Sequence, residues 1–139
     1  MNTLKRIFFV ISGLFAGSML NMMLLIIGSK IIPLPKGVDF MSENSIKSAI
    51  HLFEFKHFIF PFLAHALGTF FGAWLCARLM KDAKIKFALL IGLFFLIGGI
   101  LNVIQIPAPW YFNVIDLIFA YIPMAYLAGK ISLKRTTQS

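Results

Sequence analysis

Seven side chains within or at the edges of apolar runs have strong hydrogen-bonding chemistry: Asn21, His65, Thr69, Asn102, Gln105, Asn113 and Asp116. Of these, Asn21, His65, Asn102, Gln105 and Asp116 are the candidates for a binding or proton site. Asp116 is the only acid inside a long apolar run, and His65 is the only histidine so placed. An aspartate at the centre of a membrane helix costs on the order of 2.5–3.5 kcal/mol, less near the interface, unless it is paired or hydrated. An imidazole is a natural partner, because it can donate, accept and carry a balancing charge. Such a pair has two uses. It can latch helices together through buried hydrogen bonds, or it can bind a ligand or relay a proton from a small cavity.

Other chemistry finds little support. The three histidines are His51, His57 and His65, and no histidine falls in the first, third or fourth apolar run, so two imidazoles cannot face each other across helices to hold a haem. His51, Glu54 and His57 could form at most a weak metal site, since zinc asks for three or four ligands in defined geometry. Cys76 is the single cysteine, which excludes a disulfide framework. There is no Ser-His-Asp set, phosphate loop or nucleotide motif. Acid–base chemistry at Asp116, His65 and Glu54 would lack a nucleophile, so the sequence favours a non-enzymatic role with no metal and no cofactor.

The elements that must position these residues are membrane spans. Of 139 residues, 60% are hydrophobic and only 13% charged, against about 25% charged in soluble domains, and the mean hydropathy is +0.89. Apolar runs at 7–28, 58–80, 87–106 and 112–129 each approach the ~20 residues that cross a bilayer as helix. The predicted fold is all-α: a polytopic bundle of four transmembrane helices in a single membrane domain. The first run follows Lys5 and Arg6 as a signal peptide would, but it outlasts the 7–15 residues of a signal core, which predicts an uncleaved span. Ala64, Gly68 and Gly72 recur at four-residue spacing, as do Gly13, Gly17 and Asn21, giving stripes where helices can approach closely. These stripes are expected to serve packing within the chain rather than dimerisation. Gly98, Asn102 and Gln105 share a face of the third run.

The connection at 29–57 is the one long loop. Pro33 and Pro35 forbid regular helix there. From Ser42, a capping residue, the positions of Ile46, Ala49, Ile50 and Phe53 predict a short external amphipathic helix lying on the membrane surface. Pro107, Pro109, Trp110 and Tyr111 mark a tight turn at headgroup level.

The net charge of +8 does not indicate nucleic-acid binding, because the basic residues sit at span ends rather than in a stripe. Lys5, Arg6, Arg78, Lys81, Lys84, Lys86, Lys130, Lys134 and Arg135 fall on one side, against Asp82. Lys30, Lys36, Lys47 and Lys56 fall on the other, with Asp39, Glu43 and Glu54. The positive-inside bias then predicts both termini in the cytoplasm. At ~1.5 Å per residue, Asn102 and Asp116 should lie roughly 6 Å below the outer surface, and His65 and Asn21 roughly 10–12 Å. One polar group per helix in a shared outer layer suggests a common site. A weak likeness between the first and second hairpins, Gly13-Leu14-Phe15 with Leu20-Asn21 beside Gly92-Leu93-Phe94 with Leu101-Asn102, hints at an internal repeat.

The stretch from Phe58 to Thr69, with Pro61, Ala64-His65-Ala66 and Gly68-Thr69, and the later Gly98-Gly99, Asn102, Pro107, Pro109 and Trp110 to Asp116 resemble a group of small four-span bacterial membrane proteins of unknown function. The resemblance implies an inner-membrane location and carries no activity. From the residues themselves, the first expectation is a small integral membrane protein with a structural or accessory role. The second is a binding or transport module for a small solute, proton or lipid-like ligand. The lipid bilayer is the expected partner, and a membrane-protein partner or a second copy is compatible with the apolar surface.

Overall fold

A computed structural model describes residues 1–134, so Arg135 and the polar tail after it lie outside the described residues. Helix α1 (Thr3–Ile31) starts where the Asn2 side chain accepts the amide of Lys5 at 3.0 Å, and it stops at the Ile32-Pro33 boundary. Helix α2 (Glu43–Ala49) follows in the long connection, then single 3-10 turns at Ile50–Leu52 and Phe55–Phe58. Helices α3 (Ile59–Leu79) and α4 (Lys84–Gln105) form a hairpin, and α5 (Trp110–Phe119) and α6 (Ile122–Lys134) complete the chain. Four helical spans, at Thr3–Ile31, Phe55–Leu79, Lys84–Gln105 and Trp110–Lys134, are long and apolar enough to cross a membrane. The first and fourth spans run past both ends of their apolar runs and α4 begins three residues before its own, whereas α3 stays within 58–80.

The fourth span is not one helix, contrary to the continuous run predicted at 112–129. It breaks at Ala120 and Tyr121. Pro123 has no amide to offer the carbonyl of Phe119, and its ring would collide with that carbonyl in an unbroken helix. The second span has no such break, which leaves the two hairpins unlike at this point.

Helix α3 stands at the centre. Helix α1 packs almost wholly on it, and α4 and α6 pack on its other side. The α1–α3 seam is built from glycine backbone: a Cβ on Gly13 would lie 2.7 Å from the Gly72 carbonyl oxygen, and one on Gly17 2.6 Å from that of Gly68. The only fully buried residues of α1 are Gly13, Gly17 and Gly28. The packing role expected of both glycine stripes is thus met within one chain. On the far side, Ala73, Cys76 and Ala77 of α3 meet Ala88 and Ile91 of α4 and Ala125 and Ala128 of α6. Small side chains let the three backbones close up, which is how helices gain dispersion contact where lipid offers no hydrophobic drive.

On α4 the stripe through Gly98, Asn102 and Gln105 is not a packing face. A Cβ on Gly98 would meet nothing within 4 Å, and Gln105 is exposed. Gly92 and Gly99, one position round the helix, take the close contacts with Ala125 and Tyr121.

At the end of the bundle that carries the N-terminus, Arg6 reaches Asp82 at 2.8 Å and lies over the Phe87 ring. That ion pair is 36% and 59% exposed and so adds at most ~1 kcal/mol. Ala83, which begins α4, has φ +49°, a left-handed conformation unusual for a residue with a Cβ.

Candidate functional site

The other end of the bundle, where the long connection lies, holds the site. Asp116 sits on the buried face of α5 at 2% exposure. Its Oδ1 is 2.8 Å from His65 Nδ1 on α3, and its Oδ2 accepts the Tyr121 hydroxyl at 2.8 Å. With Asp116 as a carboxylate, which only accepts, the proton of this contact sits on Nδ1 of His65, and Nε2 is not used by it. The rings of His65 and Tyr121 lie stacked, 27° apart with centroids at 5.9 Å. One face of the imidazole is therefore held as well as its edge.

The helix break is what brings Tyr121 to this position. Released from helical geometry between α5 and α6, Tyr121 turns inward to 2% exposure. Gly99 leaves the space for it, since a Cβ there would lie 2.5 Å from the tyrosine hydroxyl oxygen. Three segments thus converge on one carboxylate: α3, α5 and the α5–α6 junction.

His65 also reaches a cavity of about 170 Å³ between the long connection and the bundle. The floor carries His65 and Asn102, and the walls include Leu25, Phe60 and Phe112. Ile46, Ile50 and Phe53 form the roof. Of these three, Ile46 belongs to α2, and Ile50 and Phe53 follow it in the connection. Ser42 does cap α2, accepting the Ser45 amide, as the sequence predicts.

The sequence-predicted residues divide cleanly. His65 and Asp116 are joined directly, and Asn102 shares the cavity with His65. Asn21 lies on the α1–α3 seam, with its Cβ opposite Gly68, and does not line the cavity. Gln105 is exposed and does not line the cavity. The shared layer of one polar group per helix is therefore a pair with one neighbour.

Near the cavity mouth, His57 is buried and structural. Its Nδ1 accepts the Glu54 amide at 2.8 Å, capping the turn that leads into α3. His51 is exposed. Among the described residues, no three His, Cys, Asp or Glu side chains come together as metal ligands.

Sequence reasoning missed Tyr121; Thr69, one of the polar side chains it placed in the spans, is buried and its Oγ1 makes no hydrogen bond. Pro123 could have signalled Tyr121, by predicting the break. No known protein family, curated protein or solved structure matches this chain.

Proposed function

We propose that this chain is a multi-pass protein of a bacterial inner membrane that binds a small ligand in the cavity above His65. In this reading both termini face the cytoplasm and the 29–57 connection is external, as the charge asymmetry favours. One observation carries the binding role. A buried carboxylate holds Nδ1 of an imidazole that lines a cavity between the bundle and the long connection. A histidine oriented by an acid can donate to, accept from or exchange a proton with whatever occupies the space beside it. Asn102 supplies a second hydrogen-bonding group across the floor.

A second reading has its own support. Asp116 has a partner on each oxygen, and those partners tie α3 to the two halves of a broken helix. That is the design of a latch, and it suits a structural or accessory role. Native mass spectrometry of the purified chain, paired with thermal melting, separates the two. Under the binding reading, His65→Gln keeps its fold and loses a small molecule that co-purifies with the unmodified protein. A lowered melting temperature with no change in bound species would establish the latch instead.

A further inference from the structure

A second apolar space adjoins the first. Phe55, Ile59, Leu63, Tyr111 and Ile115 line a groove of about 170 Å³ between α3 and α5 on the outer face of the bundle. Phe58 and Phe112 line both the groove and the cavity above His65. The partition between them is thus a pair of aromatic rings, 4.8 Å between centroids and 34° apart, rather than backbone. Side-chain rings can move between staggered rotamers without disturbing a helix.

We propose that groove and cavity together hold one single-chain lipid acid drawn sideways from the bilayer, its carboxylate head at His65 and its tail in the groove. The proposal rests on the cavity reading above and names the ligand class and its route.

Size points to a divided occupant. Each space is close to the ~150 Å³ of an engineered apolar cavity that stays dry and admits benzene, so neither takes a whole lipid. A head group and the first part of one chain fit if they are shared across the Phe58–Phe112 partition.

Polarity sets the direction. The only polar side chain in the groove is Tyr111, whereas the cavity holds Ser29, Lys56, His57, His65 and Asn102. A tail belongs in the first and a head in the second.

Charge selects the head. The ionisable side chains lining the cavity are Lys56, His57 and His65, all bases, and no acid lines it. Asp116 stands behind His65 with both oxygens engaged. A head group that enters as the neutral acid can therefore pass its proton to Nε2 and stay as the carboxylate of an imidazolium pair. Lys56 is 3.6 Å from Glu54 in an exposed pair, a contact weak enough for a desolvated carboxylate to replace.

The route follows from the roof. Ile46, Ile50 and Phe53 line the cavity with apolar side chains on the connection side. The groove opens beside Ile59, Leu63 and Ile115, which are 39%, 37% and 43% exposed on helices apolar enough to lie in a bilayer.

The test is photolabelling of the full chain in phosphatidylcholine vesicles, mapped by peptide mass spectrometry. Three diazirine probes are compared: palmitic acid, hexadecylamine and the water-soluble butyric acid. The palmitic acid probe should label both the groove segment 58–63 and the cavity segment 28–32, saturably, and unlabelled palmitic acid should displace it. The amine probe should label the cavity about ten-fold less, the consequence of losing about 1.4 kcal/mol of binding. Leu63→Trp, which fills the groove from an exposed position, should lower cavity labelling by palmitic acid about ten-fold. Ile115→Trp serves the same purpose from α5 if Leu63→Trp loses helical content.

Equal cavity labelling by the amine would overturn the acid head group. Efficient cavity labelling by butyric acid, unchanged in both tryptophan variants, would overturn the bilayer route and leave a water-borne ligand. Saturable labelling absent from the cavity with every probe would remove this proposal. Loss of the co-purifying species in His65→Gln, measured separately, would then keep the binding reading alone.

Discussion

Asp116 concentrates the energetics of the site in one carboxylate. Removing His65 or Tyr121 leaves one of its oxygens unpaired, while Asp116→Asn keeps the shape and removes the charge. Interhelical hydrogen bonds in membranes average ~0.6 kcal/mol and reach ~1.7. Tyr121→Phe is therefore expected to destabilise the bundle by about that range in a detergent melt, with the stacked ring left in place. A double-mutant cycle of His65→Gln and Asp116→Asn should return a coupling of ~0.5–3 kcal/mol. Strict additivity would mean that the 2.8 Å contact does not persist in solution. Thr69 offers the opposite case. Its hydroxyl is fully buried with no partner, so Thr69→Val, which keeps the volume and removes the unsatisfied group, should be neutral or stabilising in the same melt. The pair of His65 and Asp116 was readable from residue type alone, because one acid and one base in apolar runs have few alternatives. The third member was not. A tyrosine in an apolar span reads as a lipid-facing or interfacial ring, and only the break at Ala120 turns Tyr121 inward.

Helix-level packing makes contrasts that neighbouring glycines can test. Gly99→Ala places a methyl against the Tyr121 ring, whereas Gly98→Ala meets open space. The first should destabilise by the ~1–3 kcal/mol typical of overpacking. The second should be neutral or gain up to ~1 kcal/mol from helix propensity. If the two melts shift alike, the rotational setting of α4 is wrong. At the turn before α4, Ala83 holds φ +49° with an exposed side chain. A left-handed residue with a Cβ costs roughly 1–2 kcal/mol relative to glycine's freedom, so Ala83→Gly should raise the melting temperature. The glycine stripes of α1 and α3 were legible because four-residue spacing of small residues has one strong meaning in a membrane. On α4 the packing face was not legible, since Gly98 and Gly99 are adjacent and the sequence alone does not say which faces inward. Pro123 was outweighed by the hydropathy around it, although a missing amide and a clashing ring act locally whatever the average hydropathy.

For the whole molecule, the charge asymmetry leads to a topology experiment. Nine of the 13 basic residues lie at the ends that carry the termini and the turn between α3 and α4. In a Cys76→Ala background, cysteines placed at Ser42 and Lys81 should label oppositely with an impermeant thiol reagent in intact cells. Ser42 should react and Lys81 should be protected; the reverse pattern would invert the proposed orientation. Span count and helical class were readable from composition and run length. The roofed cavity was not, because it depends on how residues 32–58 fold back over helices distant in sequence. An amphipathic segment beside a membrane has two places to bury its apolar face, and Ile46, Ile50 and Phe53 are turned to the bundle.

The glycine seam also bears on how the protein could be assembled from pieces. Helix α1 presents no fully buried side chain other than its three glycines, and it meets little besides α3. Its attachment is that glycine seam, with Phe9, Val10 and Leu14 packed partly buried against the core, and Gly37 marks an open, exposed point in the chain between them. Cutting there should yield two polypeptides, 1–37 and 38–139, that recombine in one membrane when expressed together. Recovery of the larger piece by a tag on the smaller would show it, and Gly17→Leu in the smaller piece should abolish the recovery. A bundle of this kind behaves as a three-helix body with a separable first helix, and that helix is the natural point of exchange between copies.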